Sequence, residues 1–146
     1  MRKSLVVLMV VMLGLFATGC SSMCSYHGKA PAAKVQRFGM VTGIKPEKIE
    51  YYKKLHANAW PAVNQMIREC KIRNFSIYLK KIGEQHYLFG YFEYVGTDLD
   101  ADMKRMAADP ETQRWWKETD PCQDPLPTAA AKGKIWDDLE EVYHLE

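Results

Sequence analysis

Apolar positions near the start of the globular part alternate with period two and then change to helical spacing. Residues 37–44 place Phe38, Met40 and Thr42 on one side of the chain, a pattern typical of a strand. Pro46 follows at a predicted helix start, where its missing N–H leaves no hydrogen bond unmade. The next residues carry acids early and lysines late, which suits the helix dipole. The pattern therefore predicts a strand followed by a helix.

A second helix is predicted directly after the first. Pro61 disfavours helical backbone in the residue before it, so the first helix should end or break near Trp60. The apolar residues that follow this break recur at helical spacing. They are Val63, Met66, Ile67 and Cys70.

Two strands come next, and together they predict a hairpin. Residues 74–81 alternate, with Phe75, Ile77 and Leu79 on one face. Residues 83–85 form a turn, and residues 86–95 make the strongest predicted strand because they are rich in aromatic and β-branched side chains.

The last elements complete a recognisable order. Residues 98–108 have the apolar spacing of an amphipathic helix, and residues 110–118 begin with a proline and should add a helical turn or two. Residues 139–146 are predicted as the final strand. The order βαββαβ predicts an α+β, ferredoxin-like fold with an antiparallel sheet and helices on one face. The other face should either pack against a second copy, enclose a ligand, or do both, because rows of Phe, Tyr and Met should not remain in water.

The N-terminal residues are expected to lie outside this fold. Residues 1–19 begin with two basic residues, continue with an apolar run too short to span a bilayer, and end in small residues before Cys20. This pattern resembles the lipobox of bacterial lipoproteins, in which the cysteine is lipidated after cleavage. The alternative is an ordinary cleaved signal that leaves Cys20 as a thiol. Residues 20–36 have the composition of a flexible tether, and residues 37–146 form the predicted domain.

Charge and cysteine content exclude some classes of function. The predicted signal contains two of the 20 Lys and Arg residues, so the mature chain is neutral against its 18 Asp and Glu residues and offers no basic block for nucleic acid. Export would place Cys24, Cys70 and Cys122 in an oxidising compartment, where at most one pair can bridge. Cys20, Cys24 and His27 lack a fourth ligand at suitable spacing, so no metal site is predicted.

Candidate chemistry lies in two aromatic segments. On a helix, Tyr52 and His56 share one face, and Trp60 stands four residues further on. Either this stripe is an ordinary half-buried face whose histidine bonds to a backbone carbonyl, or it is the wall of a pocket. Trp115 and Trp116 favour the pocket, because adjacent helical positions point about 100° apart and both indoles cannot enter one core face. The flat apolar face of a sugar suits such an indole wall.

Four motifs together resemble the L-rhamnose mutarotase family. They are Tyr-x3-His-x3-Trp-Pro at 52–61, N-F-S-I-Y-L at 74–79, Q-R-W-W-K at 113–117 and L-E-E-V-Y-H-L at 139–145. The resemblance covers essentially the whole domain. It implies a homodimeric α+β barrel of ferredoxin-like subunits that interconverts sugar anomers without cofactor or metal.

The resemblance also implies roles for individual residues. The family's proton-donating histidine falls on His56, its sugar-contacting tyrosine on Tyr52, and its tryptophan pair on Trp115 and Trp116. A further family tyrosine is replaced here by Phe75, which removes a phenol hydroxyl from the expected pocket. The lipobox and the insertion at 125–138 are two other departures from the family pattern.

The sequence therefore predicts a membrane-anchored, cofactor-independent isomerase on the periplasmic or cell-surface side. The expected substrate is L-rhamnose or a related 6-deoxyhexose such as L-fucose, and the partner acid or base of His56 stays open between Tyr52, a second-strand group and a bound water. The main alternative is a non-catalytic sugar-binding lipoprotein. A cofactor-free oxygenase of the same barrel class rests on fold analogy alone.

Overall fold

The computed structural model describes residues 34–145. The predicted signal peptide, Cys20, Cys24, His27 and most of the predicted tether lie outside these residues. The helices and strands, in chain order, are β1 (Gln36–Ile44), α1 (Ile49–Ala57), α2 (Pro61–Glu69), β2 (Ile72–Ile82), β3 (Gln85–Tyr94), α3 (Leu99–Ala108), α4 (Pro110–Thr119), β4 (Gln123–Asp124), α5 (Pro127–Ala130) and β5 (Asp137–Leu139).

The strands form one antiparallel sheet in the order β2-β3-β1-β4, with β5 also paired to β1. This is the strand order of the ferredoxin-like fold, so the predicted α+β class is confirmed. β2 and β3 are joined by a tight turn in which Gly83 has a φ of 59°, a left-handed conformation that glycine adopts without strain.

The end of the chain differs from its prediction as a strand. Only Asp137–Leu139 pairs with β1, and residues 140–145 form no strand and are exposed. In the register of β5, Leu139 pairs with Gly39, so residues 143–145 would lie beyond Gln36, where β1 begins, and the intervening Glu140 and Glu141 have low β-propensity. β5 takes the edge at Gly39–Val41, and β4 takes it at Gly43–Ile44. The prediction of a last strand over 139–146 was therefore wrong for most of its length.

The two helices in the second half begin at aspartate caps. The Asp98 carboxylate accepts a hydrogen bond from the Ala101 N–H at the start of α3, and the Asp109 carboxylate accepts one from the Thr112 N–H at the start of α4. These caps satisfy N–H groups that a helix start leaves without partners. With its cap in place α4 reaches ten residues, longer than the one or two turns expected.

The core lies between the helices and one face of the sheet. One cluster joins Ile44, Tyr52, Leu88 and Cys122, which come from β1, α1, β3 and the turn after α4. A second cluster, formed by Cys70, Ile72 and Met106, packs against half-buried side chains that include Trp116. Cys70 and Cys122 are both buried free thiols, so they do not bridge each other.

The opposite face of the sheet carries a cross-strand apolar row. Val41 pairs with Phe89, which pairs on its other side with Tyr78. Tyr78 is 62% exposed, so this face has no complete cover within residues 34–145. Among the same residues, no helix is both long and apolar enough to cross a bilayer.

Candidate active site

A cavity of about 350 Å³ opens between α1, α2, α4 and strand β2. This volume is in the range of small-ligand pockets. All five side chains that the sequence predicts for the site line this cavity. They are Tyr52, His56, Phe75, Trp115 and Trp116.

Helix α1 supplies the two protic groups of the wall. Tyr52 and His56 are one turn apart, and their rings lie tilted by 31° with centroids 4.2 Å apart. The His56 Nδ1 lies 2.9 Å from the Tyr52 carbonyl oxygen, which can only accept, so Nδ1 carries the proton. The neutral ring therefore keeps its lone pair on Nε2. The backbone bond and the pocket position, which the sequence left as alternatives, occur together.

Burial sets the protonation state of both groups. Desolvation lowers the pKa of His56, and the hydrogen bond to the Tyr52 carbonyl offsets part of that effect. Desolvation also raises the pKa of Tyr52 to about 12. Near neutral pH the wall thus presents an imidazole that can accept a proton and a phenol that keeps its own.

The indoles form the other side of the cavity. Trp115 is only 7% exposed, and its ring meets the edges of His56 at 5.2 Å and Trp60 at 5.4 Å between centroids. Trp116 diverges from it and packs against the Cys70 cluster described above. Both indoles nevertheless line the cavity, so α4 alone supplies two of its aromatic side chains.

Phe75 enters the wall from β2 through a local irregularity. The β2–β3 register shifts between Arg73 and Ser76, and Asn74 has a positive φ of 50°. A bulge of this kind re-aims the side chain beside it. Phe75 meets Phe92 edge to face at 5.9 Å and is 42% exposed, so it presents a phenyl surface without a hydroxyl.

The sequence did not identify several other lining residues, and these include Asp120, Gln123 and Trp136. Asp120 is the one carboxylate among the described residues of the wall, and desolvation raises its pKa. Trp136 also packs against the cluster that contains Tyr52. The insertion at 125–138 was the one sequence feature that indicated a change at the pocket rim. It did not indicate which of its side chains would line the pocket.

The wall is suited to acid–base chemistry on a small polyol. It combines a proton-accepting imidazole, a neutral phenol and flat aromatic surfaces that exclude water. Within residues 34–145, no group of three or more His, Cys, Asp or Glu side chains is placed to hold a metal ion.

Comparison with known proteins identifies the family and the fold of this chain. The family model described as L-rhamnose mutarotase matches residues 37–145. A protein named L-rhamnose mutarotase from Lactiplantibacillus plantarum is 29% identical over 75% of this chain and 98% of its own length. Another of that name from Opitutus terrae is 33% identical over 65% of this chain and 84% of its own. A crystal structure of L-rhamnose mutarotase from Formosa agariphila shares the fold, with a TM-score of 0.56 at 21% identity, covering 76% of this chain and 99% of the other.

The state of His56 can be measured directly. We expect ¹⁵N NMR of the imidazole to show the Nδ1–H tautomer and a pKa below the ordinary value of about 6.5. Replacing Trp115 with Leu should raise this pKa towards 6.5, because water that reaches the ring favours the imidazolium. Tyr143→Ala, in the exposed tail, should leave it unchanged. An Nε2–H tautomer, or a pKa above 6.5, would contradict the geometry.

Proposed function

Because this chain belongs to the L-rhamnose mutarotase family, we propose that its pocket interconverts the α and β anomers of L-rhamnopyranose. The protein is then an isomerase that works by acid–base ring opening and closure. The observation that carries the proposal is the position of His56. Its unprotonated Nε2 belongs to a ring that borders a cavity walled by Trp115 and Trp116.

The proton steps balance with one imidazole. His56 Nε2 takes the proton from the anomeric hydroxyl, the C1–O5 bond breaks, and its electron pair goes to the ring oxygen O5. The imidazolium then gives this proton to O5, which lies close to the anomeric oxygen because both were bonded to C1 in the closed sugar. Rotation about C1–C2 presents the other face of the aldehyde, and the reverse steps close the ring as the second anomer.

Tyr52 is the group best suited to support the developing charge on O5. Its phenol stays protonated because its pKa is about 12, so it donates a hydrogen bond without losing its proton. Phe75 carries no ionisable group, so this position of β2 does not supply the partner acid. A positioned acid–base group contributes about 10²–10⁴ in rate, which is useful for a reaction that also proceeds in water.

The activity is tested by anomer exchange on L-rhamnose. We expect the wild-type protein to speed α–β exchange in NMR saturation transfer, and His56→Ala to lose at least about 10²-fold of that rate while remaining folded. The wild-type rate should also fall as pH drops through the lowered pKa of His56, because the imidazolium cannot accept a proton.

The matched control is His86→Gln, at the β2–β3 turn and outside the lining of the cavity. It should exchange anomers at the wild-type rate. Unchanged exchange in His56→Ala would refute the role of the imidazole. Shifted sugar resonances without faster exchange in the wild type would favour the alternative of a sugar-binding protein that does not catalyse. Running L-fucose and other 6-deoxyhexoses in parallel identifies the preferred sugar.

The same proposal includes a homodimer that packs sheet to sheet. The supporting observation is the row of Val41, Phe89 and Tyr78 on the sheet face opposite the cavity, where Tyr78 remains exposed. Val41 is only 8% exposed, so Phe89 and Tyr78 supply the accessible part of the row, and exposed aromatic side chains are enriched at protein interfaces. Two such faces can pack about 10 Å apart with interleaved side chains.

Sedimentation distinguishes this dimer from a monomer. We expect the wild type to sediment as a dimer and Tyr78→Lys to raise the dimer dissociation constant at least about tenfold, because the interface would have to bury an unpaired charge. Ala107→Lys adds the same charge at an exposed position of α3 and should not change it. A monomeric wild type, or equal effects of both substitutions, would argue against this interface.

The proposal places the enzyme at a membrane through a lipid on Cys20. Its support is the sequence alone, namely a basic start, a short apolar run and small residues before the cysteine. Two or more acyl chains hold a protein at a bilayer durably, whereas one does not. An exported enzyme of this kind would act on sugar on the periplasmic or cell-surface side.

Fractionation tests the anchor. The full chain, produced in a bacterium that processes lipoproteins, should sediment with membranes and carry a mass increase on its N-terminal Cys20. Cys20→Ala should abolish that mass increase, whereas Cys24→Ala should leave it in place. An unmodified Cys20 at the mature N-terminus would show an ordinary cleaved signal instead.

A further inference from the structure

Gln123 is a polar side chain buried beside the reacting groups, with a role that nothing above assigns. It is only 5% exposed and lines the same cavity as His56. Its Nε2 donates a hydrogen bond to the Tyr52 hydroxyl oxygen at 3.4 Å. Its Oε1 is buried and has no hydrogen-bond partner among residues 34–145. The large majority of buried side-chain polar atoms have at least one hydrogen-bond partner, so the unpaired amide oxygen of Gln123 calls for an explanation.

Backbone hydrogen bonds to the end of β1 and to Lys45 hold the backbone of Gln123 in place. In β4, Gln123 pairs with Ile44 and Asp124 with Gly43, and the Lys45 N–H donates to the Cys122 carbonyl at 3.0 Å. A Cβ on residue 43 would lie 2.4 Å from the Asp124 carbonyl oxygen, so only glycine permits this close approach. The backbone of Gln123 therefore has a fixed position, from which its side-chain amide contacts the Tyr52 hydroxyl.

The direction of the bond has a consequence for Tyr52. Because the amide N–H donates, the phenol oxygen acts as acceptor and its own O–H remains available to a group in the cavity. Without this donor, the phenol oxygen would have no fixed partner in the described residues, and its O–H could turn away from the cavity. Conjugation keeps the phenol O–H near the plane of the ring, and hydrogen bonds then select between its two in-plane orientations.

We infer that Gln123 is a positioning residue, which orients the Tyr52 hydroxyl towards the ring oxygen of the sugar. The inference rests on the proposed function, since it gives the oriented phenol its substrate. It concerns a residue on β4 whose geometry joins it to the reaction by the hydrogen bond to the Tyr52 hydroxyl. Its expected signature is therefore an energetic coupling to the Tyr52 hydroxyl.

The test is a double-mutant cycle with two substitutions at residue 123. Gln123→Met keeps the length of the side chain but lacks an N–H, and should lower kcat about ten- to hundredfold with little change in KM. Gln123→Glu offers a carboxylate that takes the phenol O–H, and should lower kcat further. In a Tyr52→Phe background, Gln123→Met should cause no additional loss, because the hydroxyl that it orients is gone.

Thr42→Val is the matched control. Thr42 is also fully buried, and its Oγ1 also lacks a hydrogen-bond partner within the described residues, but it does not line the cavity. Thr42→Val should change the stability of the protein but not its kcat. Its effect should therefore be the same in the wild type and in the Tyr52→Phe background. Additive losses for Gln123→Met and Tyr52→Phe would overturn the inference.

A second readout does not depend on activity. With ¹³Cζ-labelled tyrosine, the Tyr52 resonance is assigned by its disappearance in Tyr52→Phe. It should shift in Gln123→Met and shift differently in Gln123→Glu, because donor and acceptor neighbours act on the phenol in opposite senses. An unmoved resonance in both variants would overturn the inference. If the two variants show these shifts but the wild-type protein does not speed anomer exchange, the proposed function is refuted. The contact between Gln123 and Tyr52 would still be supported in that case.

Discussion

The cavity depends on how the edges of β1 are filled. One edge pairs continuously with β3, while the other is divided between β4 and β5. The chain between these two short strands has to leave the sheet and return to it. That excursion brings Trp136 to the cavity, and the β4 pairing fixes Gln123 beside Tyr52. A continuous fourth strand would occupy the same edge without such an excursion.

Burial gives the two protic groups of α1 complementary states. The same desolvation that keeps His56 neutral also keeps Tyr52 protonated, since removing water disfavours each charged form. One acceptor and one donor therefore coexist one helical turn apart at neutral pH. The backbone bond at Nδ1 adds direction, because it reserves Nε2 for the cavity side of the ring.

Local patterns predicted most of the fold and part of the site. The i, i+4 spacing of Tyr52 and His56 needs only one helix, so it was accessible from the sequence, as was the divergence of Trp115 and Trp116. Gln123 and Trp136 reach the cavity through pairing with a strand far away in the chain, which no local spacing encodes. The prediction of a strand in the tail after Leu139 was wrong for a related reason. Strand-like composition indicates that a segment can pair, but not where its partner strand ends, and β1 extends no further than Gln36.

The part of the cavity wall that β2 contributes is apolar. His56, Tyr52 and Gln123 come from α1 and β4, whereas Phe75 and Ile77 of β2 offer only carbon. A 6-deoxyhexose has the same division, with hydroxyls around C1–C4 and a methyl group on C5. A sugar with a hydroxyl on C6, bound with C1 at His56 and C5 towards β2, would bury that hydroxyl without a partner. Such a group costs about 1–3 kcal/mol, or about five- to hundredfold in affinity.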